Sequence, residues 1–168
     1  MVIMIELKIL HTKEFMRALL AGNLFSDYLL ENAVIETFNT FDIDGHLHKE
    51  FYGQDLEDDP SLAKYSMSQW SDVQQIAFDL IKGKHTPLSF KFVLHLKPDV
   101  ALSSLEADTA NATPASDYVV RIAFSDGVIR LTTGISMKVF SLDNSASSKW
   151  DEYFQKFLSI NEVAFEES

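Results

Sequence analysis

An α+β fold, with two antiparallel sheet regions and two to three helices packed on one core, is predicted for this chain of 168 residues by three observations. Asp44-Gly45 and Asp126-Gly127 each separate stretches rich in β-prone residues, and this dipeptide favours the two-residue turns that join antiparallel strands. The segment Leu88 to Lys97 alternates, with Leu88, Phe90, Phe92, Leu94 and Leu96 on one side and Ser89, Lys91, Val93, His95 and Lys97 on the other. That is the period of a strand with one buried face. Trp70, Val73, Ile76, Ala77, Leu80 and Ile81 instead keep helical spacing.

Taken in order, a first strand over residues 2 to 9 leads through His11-Thr12 into a helix. Thr12 is placed to cap it, Phe15, Met16, Leu19 and Leu20 share a face, and Gly22-Asn23 is a stop. Leu24 to Leu30 reads as a further helical turn or two. A hairpin is then expected, with Ala33 to Ile43 and His46 to Tyr52 on either side of Asp44-Gly45. Gln54 to Ser66 is loop-like and holds the acidic run Asp55 to Asp59. The helix around Trp70 has a capping box in Ser71 and Gln74, and it ends at Gly83 and Pro87 with Lys82, Lys84 and His85 close to its negative pole. After the alternating strand, residues 99 to 117 are rich in Ala, Ser, Thr and Asp and read as a mobile stretch with room for one short helix. Strands Tyr118 to Ser125 and Val128 to Thr133 flank Asp126-Gly127, which sets Ile122 opposite Leu131 and Phe124 opposite Ile129. Arg121, Ala123, Arg130 and Thr132 then share the other face. A strand at 136 to 142 precedes a last helix, capped by Ser147, with Trp150, Tyr153, Phe154, Phe157 and Leu158 on one face. Val163 to Phe165 would add an edge strand.

Composition narrows the function classes. The length is that of one domain, residues 1–168, and 46% hydrophobic residues with thirteen phenylalanines supply its core. A net charge of −11 repels nucleic acids and anionic membranes on average, so such a contact needs a local cationic patch. There is no cysteine, which removes disulfides, thiolate metal sites and cysteine nucleophiles. The N-terminal residues lack the basic start of a secretory signal, and no apolar run nears the roughly 18 residues that span a bilayer. A cytoplasmic protein with no membrane partner is expected.

Two patterns invite a chemical reading. In Asp42-Ile43-Asp44-Gly45-His46-Leu47-His48, acids and histidines at every second position would share one face of a continuous strand, making Asp42, His46 and His48 candidate metal ligands. A turn at Asp44-Gly45 would scatter them into an exposed hairpin tip. His11 and His95 read as structural. Gly83-Lys84-His85-Thr86 follows a helix instead of opening one, so it lacks the geometry of a phosphate loop. The second pattern is charge segregation. Residues 31 to 59 hold nine acids against the single Lys49, whereas residues 82 to 97 hold four lysines and no acid. Lys82, Lys84, Lys91 and Lys97 are thus candidates for a cationic contact surface, against the alternative that they cap a helix and solvate a sheet.

The stretches Asn39 to His46, Leu80 to Phe92 and Ala164 to Glu167 resemble those of a family of uncharacterised bacterial proteins, a domain of unknown function. That resemblance covers nearly the whole chain and implies no activity, cofactor or catalytic residue. The order of elements is more loosely similar to one domain of a DNA sliding clamp. This second likeness implies two helices facing DNA, here with Lys13 and Arg17 on the first and Lys82 and Lys84 ending the second, in a closed homo-oligomer.

The leading expectation is a non-catalytic binding or scaffolding module without a cofactor, clamp-like, working through a protein or nucleic-acid surface. The alternative is a small metal-dependent enzyme using the Asp42 to His48 segment, and a third reading is a small-ligand domain with an apolar cavity.

Overall fold

The computed structural model describes residues 2–106, 117–137 and 145–168. Its strands are β1 (Val2–Ile9), β2 (Tyr28–Glu36), β3 (Thr40–Asp44), β4 (Ser68–Gln69), β5 (Ser89–Leu96), β6 (Asp117–Ser125), β7 (Val128–Ser136) and β8 (Phe165–Glu167). They form one antiparallel sheet in the order β3-β2-β5-β6-β7-β1-β8, with β4 paired to β2 at Leu29 and Leu30. The expectation of two sheet regions is therefore corrected. Phe90, Phe92, Leu94 and Leu96 make β5 apolar along one whole face, and it pairs with β2 on one side and β6 on the other, which fuses the two halves.

Helices α1 (Thr12–Leu20), α3 (Trp70–Ile81) and α5 (Ser145–Ile160) cover one face of that sheet, and α2 (Asp55–Asp58) and α4 (Pro98–Ser104) are short. The α+β class holds. Trp70 packs on Phe92 at 5.1 Å between ring centroids, and Phe90 stacks between Phe92 and Phe124. Trp150, Phe154 and Leu158 of α5 are fully buried in the same cluster. Burying side chains of this size stabilises the fold by about 1.5–3 kcal/mol each. Polar ends are satisfied as well. Trp70 Nε1–H and the Gln74 amide both donate to the Leu19 carbonyl, at 3.1 and 2.9 Å, and Gln74 also donates to the Gly22 carbonyl. These bonds take up the unpaired carbonyls at the end of α1 and fix α3 beside it.

Several sequence expectations are met. The β6–β7 hairpin has the register Ile122↔Leu131 and Phe124↔Ile129, with Asp126 and Gly127 at φ 51° and 77°. Phe165 lies in the edge strand β8, against Ile9.

Others are corrected. Thr12 lies inside α1, and His11 precedes it without a side-chain cap. Residues 24 to 27 are turns, and residues 28 to 30 already belong to β2, where Tyr28 and Leu30 pair with Leu96 and Leu94. Gln74 bonds to α1 instead of closing a capping box, Ile76 is 54% exposed, and Ser147 lies buried inside α5. The largest correction concerns Asp44-Gly45. The hairpin between β2 and β3 turns at residues 37–39, and the chain passes Gly45 in extended form to an isolated bridge between His46 and Met67. Gly45 is needed for close approach: a Cβ there would lie 1.8 Å from the Leu30 carbonyl oxygen, while its N–H donates to the Glu31 carbonyl at 2.8 Å. Within the stretch 99 to 117, α4 occupies the start, and residues 107–116 lie outside the described residues, as do 138–142 of the expected strand at 136 to 142. Among the described residues no helix is long and apolar enough to cross a membrane.

Candidate functional site

Residues Lys82 to Pro87 connect α3 to β5. Lys82 leaves the helix with extended backbone, and Gly83 follows at φ 137°, a conformation that disfavours any side chain. The loop stands between two surface clefts. The first, about 550 Å³, separates the loop from α1 and from the β6–β7 turn. The second, about 530 Å³, opens toward Phe38, Phe41 and Leu88. Both share Ile81, Lys82, Gly83, His85 and Thr86, so the loop forms a ridge with one cleft on either side, and the two clefts make up a groove interrupted by it.

The floor of the first cleft is apolar, made by Met16, Leu20, Phe78, Ile81, Pro87 and Phe124. Its rim carries Lys13, Arg17, Lys82 and His85, and among the described residues no acid lines it. That is unusual in a chain with 25 acidic and 14 basic side chains. Helical spacing explains the arrangement, since Lys13, Met16, Arg17 and Leu20 fall on one side of α1. Glu14 is turned away and lines a separate small cleft with Asn161 and Glu162. Lys82 Nζ lies 3.1 Å from Asp79 and over the Phe78 ring, and hydrogen bonds from Lys82 and Gln75 hold the Asp79 carboxyl below its usual range. Lys13, Arg17 and Lys84 make no ion pair among the described residues. Unpaired cations above a low-dielectric floor concentrate positive potential, and they suit an anionic group attached to an apolar one.

At the opposite end of β5 the charges are partnered. His95 is 7% exposed, Nε2 lies 2.9 Å from Glu31 Oε1 and Nδ1 lies 3.3 Å from Asp117 Oδ1. A register shift between Leu30 and Asn32 leaves Glu31 as an extra residue in β2, which aims its carboxylate across to β5. Carboxylates only accept, so both contacts are hydrogen bonds when both ring nitrogens carry a proton. The three side chains bridge β2, β5 and β6. Nearby, Lys97 Nζ donates to Gln69 at 2.8 Å, and Tyr65 donates to Asp99 at 2.9 Å, which holds the Asp99 carboxyl below its usual range.

Over residues 18–166 the sequence matches the model of a family of unknown function (DUF5721). The chain belongs to this family. The family match includes the ridge loop and the His95 cluster, whereas Lys13 and Arg17 of the groove precede its first residue. No curated protein and no solved structure matches the chain.

The other residues singled out from sequence do not assemble into a site. Asp42, Asp44, His46 and His48 are all exposed at every second position, since the chain does not turn at Gly45. Asp42 accepts from Asn32 Nδ2 at 2.8 Å, Asp44 binds His46 Nδ1 at 2.6 Å, and His48 lies 3.9 Å from Glu50. Hydrogen bonds from the His46 backbone and ring hold the Asp44 carboxyl below its usual range. Among the described residues, no three His, Cys, Asp or Glu side chains are grouped so as to hold a metal ion. The four lysines also separate. Lys82 and Lys84 border the groove, while Lys91 and Lys97 stand on the sheet face away from the helices. The clamp-domain likeness sets Lys13 and Arg17 on one surface with Lys82 and Lys84, and the first cleft brings Lys13, Arg17 and Lys82 together with His85; sequence reading missed Glu31 and Asp117 beside His95. These partners lie tens of residues apart in the chain, and only their alternation or helical spacing hinted at the side they take.

Proposed function

We propose that the protein is a non-catalytic binding module whose groove takes an acidic, apolar-bearing peptide segment of a partner protein. One observation carries this reading: the apolar cleft between α1 and the ridge loop is rimmed by Lys13, Arg17, Lys82 and His85, with no lining acid among the described residues. The cations select carboxylates, and the floor of Met16, Leu20, Phe78 and Phe124 rewards a bulky apolar side chain. An extended ligand is favoured over a small one because a second cleft lies directly across the ridge loop. Nucleic acid is the competing ligand that the same cations, with those expected from clamp-like architecture, would attract, but a phosphate backbone makes no use of the apolar floor.

The test is a fluorescence titration with a labelled twelve-residue peptide of Glu, Asp, Leu and Phe, beside a lysine-for-acid counterpart and a short DNA duplex. Saturable binding of the acidic peptide alone, weakened about tenfold or more by Lys13→Glu with Arg17→Glu, is expected. Preference for the duplex, or indifference to those substitutions, would overturn the proposal.

A further inference from the structure

The groove's second half lies under an open edge of the sheet. Among the described residues β3 is the last strand on its side, paired only with β2 over Thr40–Asp44. The bonds from Thr37 N–H to the Asn39 carbonyl and from Gly45 N–H to the Glu31 carbonyl fix the phase of this ladder. By the alternation of antiparallel pairing, Phe41 and Ile43 bond to β2, and the N–H and C=O groups of Thr40, Asp42 and Asp44 point outward. The opposite edge, β8, is three residues long and carries Glu166 and Glu167, the shortness and charge that discourage strand addition. β3 is longer, holds no proline or lysine, and continues into exposed apolar surface. Phe38 is 86% exposed and meets Phe41 edge-on, and Leu88 is 70% exposed across the same cleft. The hydroxyl of Thr37, a residue that also lines this cleft, is buried without a hydrogen-bond partner among the described residues.

We infer that the partner segment binds as an added strand on β3, its inward side chains filling the cleft between Phe38, Phe41, Leu80 and Leu88. The inference rests on the groove reading and specifies its geometry. Main-chain bonds to Thr40, Asp42 and Asp44 supply affinity, and the cleft below supplies selectivity at alternate positions. Charge sets the composition of the segment. Asp42 and Asp44 face the sheet side away from the helices, so outward positions of the added strand carry Lys or Arg. The part crossing the ridge carries acids for Lys82, Lys84 and Arg17. The same two aspartates disfavour a second copy of this chain, because antiparallel β3–β3 pairing would set like charges side by side.

The experiment compares two peptides, the acidic twelve-residue segment and the same segment extended by Val-Lys-Val-Lys-Val, with amide hydrogen exchange read for each complex. In wild-type protein the extended peptide should bind about tenfold tighter and protect the Thr40, Asp42 and Asp44 amides. Asp42→Pro removes one outward N–H without touching the β2 ladder, and it should abolish that gain, whereas Asp42→Asn should keep most of it. Should the proline variant fold poorly, amide protection in the wild type decides alone. Equal affinity of the two peptides, with β3 amides unprotected, would overturn strand addition and leave the groove reading standing. No binding of either peptide would remove both.

Discussion

The two ends of β5 handle charge in opposite ways. At the Leu96 end, His95 lies buried between Glu31 and Asp117, each within 3.3 Å, and Lys97 has Gln69. At the Ser89 end, Lys13, Arg17 and Lys84 stand around an apolar groove with no ion-pair partner among the described residues. A buried, partnered charge holds strands in register, and its removal is read in stability. An unpartnered charge beside apolar surface adds little to the fold, and its removal is read in binding.

The most damaging break in the first region should be Gly45→Ala. A Cβ at 1.8 Å from the Leu30 carbonyl oxygen must displace backbone, and that backbone supports the bulge aiming Glu31 at His95. A loss of about 3 kcal/mol is expected in urea denaturation. Next, His95→Ala removes the shared donor from two carboxylates that are half-exposed and regain some hydration. The expected loss is about 1–3 kcal/mol at neutral pH, with peptide binding at the groove unchanged. Loss of binding alongside stability would show that the two regions are not separate.

Those positions show how much the sequence revealed. The alternation of β5, the Asp126-Gly127 hairpin and the apolar faces of α1, α3 and α5 were legible because each is set by local period and turn chemistry. Asp44-Gly45 misled for a physical reason: glycine serves both positive φ and close backbone approach, and only the packing against Leu30 shows which applies. The basic stretch 82 to 97 was visible, but the strand alternation of β5 sends Lys91 to the far face of the sheet while Lys82 stays at the groove. Half of the groove's cations come from α1, more than sixty residues earlier, and no local pattern announces such a meeting. The DUF5721 family match carries no activity with which to fill that gap.

Smaller effects sharpen the contrast. Arg17→Glu should leave stability within about 0.5 kcal/mol of wild type, the behaviour of an unpartnered surface charge. Asp151 on α5 is an intermediate case, accepting from Thr133 at 2.7 Å while burial, and next to it the charge of Glu167, raise its carboxyl above the usual range. A raised carboxyl favours folding fully below its unfolded pKa of about 4, and that contribution is lost as pH rises through the folded value. Asp151→Asn keeps the acceptor and should therefore be slightly more stable than wild type at pH 7, by less than about 0.5 kcal/mol after solvent screening. Denaturation curves at pH 4 and pH 7 should show that difference shrinking in acid.

The most direct test of the central claim measures both properties on two variants: melting temperature and affinity for the acidic peptide, for His95→Ala and for Lys13→Glu with Arg17→Glu. The account predicts a crossed result, in which the histidine variant melts lower and binds normally while the double variant melts normally and binds at least about tenfold more weakly. Both variants losing stability with binding untouched would contradict it, because the groove charges would then belong to the fold.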